Sequence, residues 1–114
     1  MERDERNRIV DVKSTPINKL VSHYLMSSYL YYELDVNVYD DFLFNEICSH
    51  LADNFDTITH PHKHLLDLTA LKASTGFDII YPCLVKHASV MWYEEVTGYK
   101  ISEIDLVRAK YNCK

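Results

Sequence analysis

The sequence predicts an all-α domain of four to five helices, with an N-terminal helical hairpin packed on a C-terminal helical half. Three observations carry that expectation. Only two glycines and three prolines occur in 114 residues, too few for the many tight turns of an all-β domain. Apolar residues recur at three- and four-residue spacing along several stretches. Residues that start helices, Ser14-Thr15-Pro16, Asp40-Asp41 and Pro82, stand just ahead of those stretches. The apolar and charged fractions, 47% and 25%, are those of a folded chain rather than a disordered one, and the length suits one domain with a modest core.

In chain order, residues 1–13 form a mixed-charge opening, read as a flexible segment although Ile9, Val10 and Val12 offer an apolar face for docking. The single helical domain spans 14–114, with a hairpin over 14–66 and a helical extension over 67–114. Ser14 and Thr15 offer capping hydroxyls, and Pro16 fits the first helical position because its missing amide hydrogen would be unpaired there. The first stripe, Ile17, Leu20, Val21, Tyr24, Leu25, Ser28, Tyr31 and Tyr32, is expected to face the core, with Asn18, Lys19, Ser22 and Glu33 in water. Residues 35–39 are too few for another element and contain Asn37, a turn former. Asp40 or Asp41 then caps a second helix to about Asn54, carried by Phe44, Ile47, Cys48, Leu51 and Phe55.

A polar loop over 56–64 holds Pro61 and three alternating histidines. A short helix is expected from Leu65 to Ala73, stopped at Ser74-Thr75-Gly76, and an apolar connector over 77–81. Pro82 opens a helix through Val85, Ala88, Met91, Trp92 and Val96 that ends at Thr97-Gly98. Ser102 with Asp105 resembles a capping box and starts a last helix through Ile104, Val107 and Tyr111.

Several function classes are excluded or disfavoured by composition. Two distant glycines provide neither a phosphate-cradling loop nor a dinucleotide fingerprint. A net charge of -5 argues against direct binding of duplex nucleic acid, whose non-specific affinity rests on lysine and arginine. No apolar run approaches a membrane span and the charged start lacks a signal-peptide core, so the expected location is the cytoplasm. Cys48, Cys83 and Cys113 have no CxxC spacing and are read as reduced thiols, two of them in the core.

The chemistry-bearing candidate is the junction of the first two helices. Tyr31 and Tyr32 end one helix, Asp41 and Asn45 begin the next, and a short connector brings the two together. Aromatic faces stack a planar ring, and a neighbouring carboxylate holds an amide, a ribose hydroxyl or a cationic ring. On spacing alone the same residues also fit a plain core stripe and a helix cap. His60, His62 and His64 share one side of an extended segment and are weak candidates for a zinc or nickel site, with solvated histidines as the other reading. Cys83 and His87 stand one helical turn apart but lack a third orienting group, so no catalytic residue is assigned.

The run Tyr29-Leu30-Tyr31-Tyr32-Glu33-Leu34-Asp35, the six-residue step to Asp41, and Phe44-Asn45-Glu46-Ile47 with Leu51 resemble the N-terminal helical subdomain of bacterial NAD-dependent DNA ligases. His60-Pro61 is similar to a His-Pro pair after the second helix of that subdomain, and the likeness covers roughly residues 16–66. That subdomain grips the nicotinamide mononucleotide (NMN) half of NAD. The resemblance therefore implies a cofactor-binding set of Tyr31, Tyr32, Asp35, Asp41, Phe44 and Asn45, with NMN or NAD as ligand and no required cofactor. Phe44 stands where the family has a tyrosine, and Asn45 where it has an aspartate. Neither glycine is preceded by the family's Lys-x-Asp-Gly nucleotidyl motif, so the resemblance implies a non-catalytic accessory protein, similar to short ligase-related proteins encoded by bacteriophages and acting in the host cytoplasm. The competing expectation is an interaction module or inhibitor that engages a host protein and keeps only a vestigial nucleotide pocket.

Overall fold

A computed structural model describes residues 9, 11–74 and 79–104. Among these the chain is all-helical: α1 (Ile17–Glu33), α2 (Asp41–Asp53), α3 (Leu68–Lys72) and α4 (Cys83–Thr97), with short 3-10 turns at Phe55–Thr57, Lys63–Leu65 and Ile101–Glu103. The first two helices pack on each other, α4 packs on α1, and α3 packs on α2. The expected hairpin on a helical half is therefore the observed architecture.

The central element is α1. Leu20, Val21, His23, Tyr24, Leu25, Ser27, Ser28, Tyr29 and Leu30 are all buried, an unbroken run from 27 to 30 that no single amphipathic stripe supplies. A helix covered on more than one side is what results when α2 and α4 both pack on it. Two consequences depart from the sequence reading. Tyr31 is 52% exposed and Tyr32 is only half-buried, so the stripe expected to carry them into the core stops short. Tyr29 takes the core position instead, its ring edge-on to Tyr81 at 5.2 Å.

Helix ends follow local chemistry in most places. Asp40 is the N-cap of α2, its carboxylate accepting from Leu43 N–H at 2.9 Å. Asp67 does the same for α3 through Ala70 N–H. Gly98 ends α4 in the left-handed conformation, φ 82°, and its N–H bonds Glu94 C=O at 2.8 Å, as a glycine C-cap requires. The start of α1 differs: Pro16 is the N-cap, and the hydroxyls of Ser14 and Thr15 turn back to donate to Asp11 C=O. The third helix begins at Leu68 rather than Leu65, because Leu65 closes a 3-10 turn and Leu66 is extended. Ser102 lies in a 3-10 turn that Ile104 ends in an extended conformation, and the expected last helix from Asp105 onward lies outside the described residues.

The thiols divide. Cys48 is buried and free, and burial pushes its pKa up to about 12. Cys83 is exposed at the first turn of α4 and disulfide-bonded, which corrects the expectation of a reduced set. Proximity in the fold, not sequence spacing, decides which cysteines join.

A buried hydrogen-bond chain ties three segments together, and a ring contact adds a fourth. Ile9 N–H donates to the Tyr39 hydroxyl at 2.8 Å, and that hydroxyl meets His23 Nδ1 at 2.7 Å. With the oxygen accepting from Ile9, the hydroxyl proton is directed at His23, which accepts as a neutral imidazole. The indole of Trp92 closes the cluster, its centroid 4.9 Å from His23 and 5.4 Å from Tyr39. Ile9 and Val12 are both buried, so the docking face noted in the N-terminal stretch is in use.

Burial, then the nearby Lys19 charge, lowers the His23 pKa from 6.5 to about 4. The folded state thus binds fewer protons than the unfolded state between those values, so stability is full above pH 6.5 and falls as pH drops toward 4. The loss attributable to His23 is about 3 kcal/mol. Urea unfolding from pH 7.5 to 4 should show that decline, and His23→Gln, which cannot titrate, should show a shallower one.

Candidate functional site

Five of the six residues singled out at the junction of the first two helices line one cavity of about 500 Å³: Tyr31, Tyr32, Asp41, Phe44 and Asn45. The C-terminal end of α1 supplies the two tyrosines, whose rings meet edge-to-face at 4.8 Å and 89°. The first turns of α2 supply Asp41, Phe44 and Asn45, three and four residues apart on one helix face. Phe44 has a second role: its ring stacks on the buried Tyr24 ring of α1 at 5.8 Å. The ring is held by apolar packing, which a phenylalanine supplies as well as a tyrosine.

Asp35, the sixth residue, is not brought to the cavity. It is exposed, with φ of 60°, in the left-handed region that aspartate tolerates better than most residues. Its function here is to turn the chain: just past it, Val36 N–H returns to Leu30 C=O at 3.0 Å. The turn redirects the connector across the end of α1, and Asn37, Val38 and Tyr39 become a wall of the cavity.

Sequence reasoning missed the remaining lining. Ser27 sits one turn before Tyr31 on α1, a spacing that could have placed it on the tyrosines' side. It is buried, and its hydroxyl has no hydrogen-bond partner among the described residues. Ala73 and Ser74, just beyond α3, close the opposite side. Only the packing of α3 on α2 brings them there, and no local signal marks them.

Electrostatically the cavity is one-sided. Asp41 is the only acidic side chain among the described lining residues, and none of them is a lysine, arginine or histidine. The positive end of the α2 dipole faces two carboxylates, the Asp40 cap and Asp41 itself. The aromatic rings present π faces, which attract positive charge.

The histidine loop behaves differently. His62 N–H donates to His60 Nδ1 at 3.0 Å, which places the His60 proton on Nε2, where it donates to Ser22 Oγ at 2.9 Å. Both ring nitrogens are thus engaged, and burial followed by the neighbouring His62 lowers the His60 pKa. His64 Nδ1 donates to Pro61 C=O at 3.2 Å. Among the described residues no group of three His, Cys, Asp or Glu is placed to hold a metal, which removes the three-histidine candidate. The loop is instead a clamp on α1: Asn18 and Thr59 exchange two hydrogen bonds beside it.

Comparison of the chain with protein-family models, with characterised proteins and with solved structures gives no match. No helix among the described residues is long and apolar enough to cross a membrane.

Two substitutions bordering the cavity should move stability in opposite directions. Tyr39→Phe removes the hydroxyl that joins Ile9 to His23 and leaves two buried groups unpaired, for a loss of about 2–4 kcal/mol. Ser27→Ala removes a buried hydroxyl and improves helix propensity, for a gain of roughly 0.5–1.5 kcal/mol. Urea midpoints at pH 7.5 measure both.

Proposed function

We infer that the protein binds a nicotinamide nucleotide, NMN or NAD, in the cavity between the end of α1 and the start of α2, and acts as a non-catalytic accessory protein. The observation that carries this reading is the convergence of Tyr31, Tyr32, Asp41, Phe44 and Asn45 on one cavity. The sequence resemblance to the nicotinamide-binding subdomain of NAD-dependent ligases falls on those same residues. At about 500 Å³ the cavity falls within the range of small-molecule sites, roughly 300–1,000 Å³.

Each residue has a part in that reading. The tyrosine pair and Phe44 offer ring faces to a planar heterocycle. Asp41 and Asn45 offer acceptors and an amide to the carboxamide or to ribose hydroxyls. Asn45 in place of an aspartate lacks a charge-assisted hydrogen bond worth about 1.5–3 kcal/mol. Affinity is accordingly weaker by about ten- to a hundredfold than for a site with the carboxylate.

A second reading, engagement of a host protein, draws on the outer face of α4 and its approach, where Ile80, Leu84 and Met91 are exposed. The two readings separate on the cavity residues. Calorimetric titration with NMN should give a dissociation constant on the order of 0.1 mM, abolished in Tyr31→Ala with Asp41→Ala. Absence of heat and of any thermal shift at millimolar NMN and NAD removes the nucleotide reading. Capture of a stoichiometric protein partner that is indifferent to the same double substitution favours the second.

A further inference from the structure

The walls of the cavity specify more than a planar ligand. Four aromatic rings, Tyr31, Tyr32, Tyr39 and Phe44, border it together with one carboxylate, Asp41. The Tyr39 hydroxyl is committed to Ile9 and His23, so it is the ring of Tyr39 that remains for a ligand. No lysine, arginine or histidine occurs among the described lining residues. Among the described residues a phosphate therefore finds no counter-charge there, and the α2 N-terminus, the usual backbone substitute, already faces Asp40 and Asp41. An aromatic wall whose described lining carries one acid and no base has the chemistry of an organic-cation site.

We propose that the cavity selects the positively charged, N-substituted pyridinium ring of an oxidised nicotinamide nucleoside and leaves any attached phosphate outside, unheld. This rests on the reading of the cavity as a nicotinamide site and sharpens it to one charge state. The neutral dihydronicotinamide ring loses both the cation–π attraction and the pairing with Asp41. Because Asp41 and Tyr31 are exposed, the preference is moderate and weakens as salt is raised.

The test is calorimetric titration of the full chain at pH 7 and low salt with five probes: nicotinamide, the neutral size control 5-methylnicotinamide, the cation 1-methylnicotinamide, nicotinamide riboside and NMN. The expected result is that 1-methylnicotinamide binds about tenfold or more tightly than either neutral amide, and that the riboside binds at least as tightly as NMN. Asp41→Asn should reduce the cation preference to about threefold or less. Equal binding of the cation and the neutral amides, or NMN tenfold tighter than the riboside, overturns the proposal. If NMN binds with no cation preference, the nucleotide reading survives and this inference falls. If the riboside and 1-methylnicotinamide bind while NMN and NAD do not, the inference stands and the nucleotide reading falls. Binding of none of the five overturns both.

Discussion

The Tyr39 hydroxyl, buried between Ile9 N–H and His23 Nδ1, is the constraint on which the described structure depends most. It joins the N-terminal stretch, the middle of α1 and the connector to α2, and Trp92 brings α4 against the same point. A buried hydroxyl and a buried imidazole are each costly without partners, and here each satisfies the other. The arrangement holds only while the imidazole is neutral, which its low pKa ensures near neutrality. A polar cluster at the centre of an apolar core fixes one register of four segments, because any slip strands at least two polar groups.

The cavity follows from that fixed register. Tyr39 is at once a member of the hydrogen-bond chain and a wall of the cavity. Anchoring it sets the path of residues 35–39 across the end of α1, with Asp35 making the turn in a left-handed conformation. Phe44 does the same work from the other side, stacking on Tyr24 while facing the cavity. The opening is thus bounded on one side by two rings anchored to the core, Tyr39 and Phe44, while Tyr31, Asp41 and Asn45 stand at the exposed edge. Rigid ring faces with polar groups at the mouth are a preorganised arrangement, in which little order has to be imposed when a ligand enters.

What was legible in the sequence was local. Asp40, Pro82 and Gly98 act within a residue or two of where they stand, and the structure has them at helix ends. The Tyr31 and Asp41 set was legible for the same reason: both lie close to one short connector, so the helix junction brings them together without distant help. His23 and Tyr29 were not, since their burial reflects α1 being covered on more than one side, which a single-stripe pattern does not encode. Ala73, Ser74 and the partnering of His60 with Ser22 were invisible because each depends on segments far apart in sequence. The loop histidines invited a metal reading from spacing alone, and hydrogen bonds across the fold gave His60 another task.

The central claim is that the cavity between α1 and α2 is a nicotinamide site. The most direct test is nuclear magnetic resonance of the chain, with the tyrosine ring and asparagine side-chain amide signals assigned, during titration with NMN. The account predicts saturable shifts concentrated on the Tyr31 and Tyr32 rings, the Asn45 side-chain amide and the Ser27 backbone amide, with the α4 face around Leu84 and Met91 unmoved. Shifts centred on that α4 face, or none at millimolar NMN, would contradict it.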